Sequence, residues 1–598
     1  MCGVAGTFAY REGAPRVDRN DLLRIRDAMS RRGPDGAGLW ISVDACVGLA
    51  HRRLSIIDLS DAGAQPMVSG DGRLRVVFNG EIYNYRQLRA GLEVKGCHFR
   101  SQSDTEVLLH LYAERGVDMV HALRGMYAFA IWDENKRGLL LARDPFGIKP
   151  LYYADDGHTI RFASQVKALL QSSAVDTRPE PAGHVGFFLW GSVPEPYTLY
   201  KGIRAVPAGS TLWTSGSGVH RPMSFFSVAE TMSVIKAERP ADLDEGRQRL
   251  RATLLDSVQH HMVADVQVGV FLSAGLDSTT LTALAAELSA NPLHTATLGF
   301  HEYRGTENDE TVLSQMVADH CHTAHQTHWV SRQDFQRERE KLFQVMDQPT
   351  IDGVNTYFVS KVAAESGLKV AISGLGGDEL FCGYPSFRGI PRMARLLSPF
   401  QHVPAVGRLF RWVSAPLLKR LTSPKYASLL EYGGTYAGVY LLRRGFFMPW
   451  ELPEILGDQI VREGWEELRP LMRLEQSIRG ATSDRIRVSA LEMNWYMRNQ
   501  LLRDADWAGM AHSLEIRVPL VDAEFVHRVA PLLTEMFPDK QDMARTPSTP
   551  LPREVMNRRK TGFSVPVREW LMQTDNRRSG ERGLRGWAKQ VMAMQFAA

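Results

Sequence analysis

Two hydrophobic rhythms divide this chain, and one core cannot satisfy both. Up to about Gly209 the apolar residues fall in short strand-length runs, at 47–51, 74–80, 126–132, 138–143, 151–155 and 160–164, broken by Gly, Asn and Asp. Helix signals are few there; the clearest cover 21–30 and 104–115, the second behind a Ser103-Asp104 cap. From Ala241 the order becomes strand, loop, helix. Residues 266–272 (VQVGVFL) run apolar, 273–278 are a loop of small residues, 279–288 are an Ala/Leu-rich helix, and the cycle returns at 293–300 and 369–372. The first rhythm predicts a layered α+β domain over 1–209. The second predicts an α/β domain over 241–598, with a doubly wound parallel sheet and a helical C-terminal part beyond Phe387. Residues 210–240, containing TSGSGVHRP, read as the connection.

At 598 residues the chain has room for two or more cores, given about 100–200 residues per domain. Basic side chains number 71 against 67 acidic ones, so the cationic excess that nucleic-acid binding needs is missing. With 44% hydrophobic and 23% charged residues, disordered, collagen-like and coiled-coil classes are excluded. There is no apolar run of membrane-spanning length, and no signal peptide follows Met1, so no membrane partner is expected. The five cysteines are odd in number and form no C-x-x-C pair, which predicts reduced thiols and a cytoplasmic location.

One of those cysteines sits where its chemistry changes. Removal of Met1 leaves Cys2 with a thiol and a free α-amine. A thiol of pKa about 8.5 beside an amine of about 7.7–8.0 is a nucleophile carrying its own general base. Position alone does not distinguish this from an accidental cysteine, but the segments that follow do. Cys2-Gly3-Val4-Ala5-Gly6, Arg31-Arg32-Gly33-Pro34-Asp35, His51-Arg52-Arg53-Leu54-Ser55-Ile56, Phe78-Asn79-Gly80-Glu81-Ile82-Tyr83-Asn84 and Ser103-Asp104-Thr105-Glu106 occur in that order. The series resembles the class II glutamine amidotransferase domain, whose fold is the N-terminal-nucleophile hydrolase αββα sandwich. Residues 143–152 (RDPFGIKPLY) are similar to a further signature of that domain. Amide hydrolysis passes through an oxyanion, and the Asn79 amide with the Gly80 N–H can stabilise it. The resemblance implies a glutamine site of Arg53 for the α-carboxylate, Asp104 for the α-ammonium, and Asn79 and Glu81 beside them.

The second half carries a phosphate-type loop. Leu272 leads into Ser273-Ala274-Gly275-Leu276-Asp277-Ser278, where backbone N–H groups, hydroxyls and a helix N-terminus can face an anion. The Walker A pattern is absent. Alone, such a loop is a plain strand-to-helix turn. It is similar to the S-G-G-x-D-S loop of ATP pyrophosphatases, with Ala274 in place of a glycine, and a second loop, Ser373-Gly374-Leu375-Gly376-Gly377-Asp378-Glu379, ends another expected strand. Two such loops at the carboxyl ends of parallel strands face one crevice. Ser273, Gly275, Asp277, Ser278, Ser373 and Gly374 are therefore candidate ATP contacts, with Leu272 and Leu298 toward the adenosine. Asp277 and Asp378 are candidates to hold Mg²⁺ against pyrophosphate.

Residues 506–522 and 557–566 resemble further signatures, and nearly the whole chain resembles the glutamine-hydrolysing asparagine synthetase family. The resemblance implies an acyl-adenylate made from ATP and an acidic acceptor, aspartate first, amidated by ammonia from glutamine. It also implies a homodimer, and Lys560 is the candidate for neutralising charge on the adenylate. Three positions depart from the family pattern. Leu375 replaces a glutamate, Trp507 an arginine and Gly509 a serine, which leaves another carboxylate (a sugar uronate, a peptide or a natural product) open as acceptor. β-Lactam-forming relatives typically lack a working nucleophile, and Cys2, Asn79 and Asp104 argue against that reading; a non-catalytic scaffold would be expected to lose Asp277, Asp378 or Cys2, and all three are present. The His-rich run 319–328 fits no zinc spacing.

Overall fold

The computed structural model describes residues 2–233, 242–421, 423–536, 538–558 and 584–597, with the single positions 240, 566 and 570. Two antiparallel sheets form the N-terminal unit. In spatial order the first runs Arg204–Ala205, Tyr152–Asp155, Thr159–Ala163, Gly3–Ala9, Val47–Arg53 and Gly36–Ile41. The second runs Gly218–Val219, Ser210–Ser215, Gly138–Arg143, Gly125–Asp133, Leu74–Ile82 and Met67–Val68, with Met223–Ser224 beside Ser210–Ser215.

Between the sheets Val4, Phe8 and Leu49 of one interlock with Val77, Ala128 and Trp132 of the other. Helix Arg19–Asp27 covers the first sheet through Leu22 and Ile25. Asp104–Arg115, capped by the Ser103 hydroxyl, covers the second through Val107, Leu108 and Leu111. The result is an αββα sandwich. Strands covered on both faces read as continuous apolar runs, which explains the sequence pattern. The stretch whose composition suggests a connector supplies strands to the second sheet: Ser210–Ser215 and Gly218–Val219 form a hairpin, and the small residues of TSGSG make its turn.

The second unit holds a five-stranded parallel sheet, in spatial order Ala324–Val330, His294–Phe300, Val268–Phe271, Val370–Ile372 and Glu515–Arg517. Numbered along the chain this is 3-2-1-4-5, so the winding reverses between Val268–Phe271 and Val370–Ile372. Ligand crevices of doubly wound sheets open at that point, and the loops after these two strands are 272–275 and 373–376. Helices dominate from Ser386 onward. Side chains tie the units together: Lys369 Nζ lies 2.8 Å from Asp35 Oδ2, and Arg124 Nη2 lies 2.6 Å from Asp522 Oδ2. No helix among the described residues is long and apolar enough to cross a membrane.

Candidate active site

Cys2 stands at the head of the strand Gly3–Ala9, buried, with its N–H donating to Asn79 Oδ1 at 2.9 Å. Asn79 lies on Leu74–Ile82 in the other sheet, so the inter-sheet packing sets this distance. The Asn79 carbonyl is thereby engaged, while its Nδ2 is buried with no hydrogen-bond partner among the described residues. A buried amide donor left unmatched is costly unless a ligand completes it. Next to it Gly80 has φ +148°, and a Cβ there would lie 2.0 Å from the Met126 carbonyl oxygen, so only glycine fits. Burial pushes the Cys2 thiol up, so a base must take its proton as it attacks. His51 is not that base: its Nε2 faces the Phe78 carbonyl at 3.1 Å, and burial pushes its pKa down to about 3.

Among the expected glutamine contacts, Arg53 and Glu81 lie within electrostatic reach of Cys2, and Asp104 within that of Glu81. Asp104 is buried, and burial pushes its pKa up to about 6, although its Oδ2 accepts the Ile82 N–H at 2.9 Å. Arg53 is half-buried, and its guanidinium is aimed by the carbonyls of Asp58 and Ser60, the latter at 2.7 Å. Glu81 is buried and its carboxyl is pushed well up, by burial first and then by Glu515 and Asp104. The nearby cation is already claimed: Arg517 Nε lies 2.7 Å from Glu515 Oε1 but its Nη2 only 3.5 Å from Glu81 Oε2. Burial and the two neighbouring carboxylates thus hold the Glu81 carboxyl above the usual range, opposed by Arg517.

Sequence reasoning gave Arg32 no role. Its Nε donates to the Cys2 carbonyl at 3.1 Å, and its Nη1 and Nη2 clasp both oxygens of Asp506 at 2.7 and 3.0 Å. One buried guanidinium thus joins the nucleophile's backbone to the helix Arg503–Met510 of the other unit. Breaking a buried pair from one side costs about 3–5 kcal/mol. Asp506→Asn is therefore expected to lower the unfolding free energy by that order in a denaturant melt and to reduce glutaminase kcat.

In the second unit the two loops touch. A Cβ on Gly374 would lie 2.9 Å from Asp277 Cβ, and one on Gly377 would lie 2.3 Å from Asp277 Oδ1. Ser273 and Ser278 knit the first loop, Oγ to Oγ at 2.8 Å, and Gly275 N–H donates to Ser273 Oγ at 3.2 Å. Ser373 N–H donates to the Arg517 carbonyl at 2.8 Å. Leu272 and Leu298 are buried in neighbouring strands, with the Leu272 carbonyl accepting the Thr297 hydroxyl at 2.6 Å. Asp277 and Asp378 converge on Lys540, whose Nζ lies 2.5 Å from Asp277 Oδ2 and also contacts Asp378 Oδ1. Burial opposes the Lys540 charge, but the two carboxylates more than offset it. Two carboxylates meeting at one cation fit the part of a Mg²⁺ shell that a protein supplies beside phosphates and water. Lys540 was not foreseen; its place at the start of a five-residue helix, Lys540–Ala544, gives no sequence signal. Lys560 lies outside the described residues.

Leu375, within the second loop, is half-buried and packs against the hydrophobic core. Trp507 is buried against Gly353, and its indole Nε1 donates to Asp504 Oδ1 at 2.8 Å. Asp504 also accepts the Thr350 hydroxyl at 3.0 Å. Farther along the same sheet, His325 Nδ1 pairs with Thr295 Oγ1 at 2.9 Å.

A thiol-headed αββα sandwich fused to a parallel sheet with paired glycine loops at its switch point has the architecture of a two-site amidotransferase. The family described as a glutamine amidotransferase domain matches residues 1–225, and the one described as asparagine synthase matches residues 249–592. Asparagine synthetase [glutamine-hydrolyzing] 1 of Bacillus subtilis is 33% identical over 589 residues, covering 96% of this chain and 89% of its own. A putative asparagine synthetase [glutamine-hydrolyzing] of Mycobacterium tuberculosis is 34% identical over 613 residues, covering 96% and 88%. Asparagine synthetase B of Escherichia coli is 31% identical over 418 residues, covering 66% and 67%. The chain belongs to the glutamine-hydrolysing asparagine synthetase family.

Proposed function

We propose that the protein hydrolyses glutamine with Cys2 and uses the ammonia to amidate an ATP-activated carboxylate, with aspartate as first acceptor and asparagine, AMP and pyrophosphate as products. The observation that carries this reading is the split use of Asn79, whose oxygen holds the Cys2 nitrogen while its buried NH₂ awaits an acceptor. With Met1 removed, that nitrogen is the α-amine and takes the thiol proton. Sγ attacks the glutamine side-chain carbonyl, Asn79 Nδ2 and the Gly80 N–H receive the oxyanion, and ammonia leaves with a proton returned by the amine. Water then releases glutamate from the thioester. In the second unit an acceptor carboxylate oxygen attacks the ATP α-phosphorus, pyrophosphate leaves, and ammonia displaces AMP. Asp277 and Asp378 would hold Mg²⁺, which supplies charge neutralisation for the departing pyrophosphate. The loops of Ser273–Ser278 and Ser373–Gly374 would carry the phosphates, and Lys560 remains a proposal for the same charge. This chemistry fits the cytoplasm, where glutamine and ATP are at hand, and a homodimer as the family resemblance implies.

ATP–pyrophosphate exchange tests the reading. Exchange with aspartate supports it, and exchange with another acid alone supports a divergent acceptor. No exchange with any acid overturns adenylation. Leu375, and Trp507 engaged with Asp504, favour the second outcome as the alternative, because neither offers a charge to an amino-acid zwitterion.

A pH dependence follows from Asp104. With a pKa raised to about 6, it loses its charge as pH falls through that value. A neutral acid cannot pair with the glutamine ammonium. KM for glutamine is expected to be flat above this pH and to climb below it, and Asp104→Asn is expected to show a high KM without that slope. Steady-state glutaminase profiles across this range provide the check.

A further inference from the structure

The helix Pro404–Leu421 is docked on one side and bare on the other. Its docked side is set by Gly407, where a Cβ would lie 2.7 Å from Glu431 Cα, and by Arg411, whose Nε donates to Glu431 Oε2 at 2.7 Å. On the opposite side Val406, Leu409, Phe410, Val413 and Leu417 recur at helical spacing and are all exposed. Leu409 is 62% exposed, and Trp412, at the edge of the stripe, is 78% exposed. Single exposed apolar residues are ordinary, but six on one helix form a patch of the kind that marks an interaction surface.

Charge says what the patch meets. From Leu380 through Leu430 the sequence carries eight Lys and Arg and no Asp or Glu. The facing acids come from outside this segment: Glu431 takes Arg411, and Asp484 takes Arg395 at 3.0 Å. A basic segment bearing a helix with Trp, Phe and Leu on one face matches the chemistry of a bilayer interface rich in anionic headgroups. A second copy fits less well, because a two-fold interface would set the same cationic, acid-free segment against itself. The contact would be peripheral, since no described helix can span a membrane.

We propose that the exposed face of Pro404–Leu421 rests on an anionic lipid surface, with the helix axis in the plane of the interface and Trp412 at headgroup depth. At 1.5 Å per residue its 18 residues span about 27 Å, enough to seat the whole stripe.

Flotation of the full-length protein with vesicles tests this. The protein is expected to float with phosphatidylcholine–phosphatidylglycerol vesicles at low salt, and about tenfold less with phosphatidylcholine alone or at high salt. The triple variant Leu409→Ser, Val413→Ser, Leu417→Ser is expected to lose flotation about tenfold or more, and Arg408→Glu to weaken it, with glutamine hydrolysis unchanged in both. Failure of the unaltered protein to float with anionic vesicles overturns the proposal. So does flotation that the triple variant leaves intact. Loss of a dimer in the triple variant, without lipid binding by the unaltered protein, assigns the face to a second copy instead.

Discussion

Cys2→Ala is expected to abolish glutamine-dependent amide formation, by on the order of 10⁴-fold, while synthesis from added ammonium continues at its original rate. The size follows from the chemistry: no other side chain can form the thioester, because the nearby His51 is neutral and bonded to Phe78, and Asn79 carries no nucleophile. The selectivity follows from the architecture. Cys2 is packed in the sandwich unit, and alanine keeps the backbone that donates to Asn79 and accepts from Arg32. The strut from Cys2 through Arg32 to Asp506 is therefore left in place, and the synthetase unit should not notice the change. Parallel assays with glutamine and with ammonium give the result, and equal loss in both would contradict the division into two sites.

The mirror-image prediction concerns Asp378→Asn. ATP–pyrophosphate exchange is expected to fall by about 10³-fold, with glutamine hydrolysis retained. Asp378 sets a carboxylate oxygen beside Asp277 at the Lys540 ammonium, and carboxylates placed together beside phosphates are the groups proposed to hold the metal ion against pyrophosphate. Asparagine removes one of those carboxylates. It leaves Asp277 and Lys540 as a matched pair at 2.5 Å, so the loops keep their contact and the variant should fold. A near-normal melting curve together with lost exchange separates a chemical role from a structural one.

What the sequence made legible was local. Cys2 at the chain start, the Asn79-Gly80 pair and the loops at 273–278 and 373–378 all sit in short contiguous segments, and the change of rhythm separated the two units. Pairings across the chain were not legible. Arg32 and Asp506 are 474 residues apart, and Lys540 and Asp277 263 apart; nothing periodic marks either partner. Glu515–Arg517 shows a different failure. It falls in the part beyond Phe387 that reads as helical, yet it is the edge strand of the parallel sheet. Glu515 and Arg517 are buried there because they neutralise one another at 2.7 Å, which only the fold reveals. The turn in TSGSG misled for a simpler reason: small polar residues serve hairpins and linkers alike.

The most direct test follows one nitrogen atom. The processed enzyme is given glutamine labelled in its side-chain amide, ATP, the acceptor acid identified by exchange, and a pool of unlabelled ammonium. Label in the new amide, with one AMP and one pyrophosphate formed for each, is the predicted result. Product with no label at all, or ADP and phosphate in place of AMP and pyrophosphate, would contradict it.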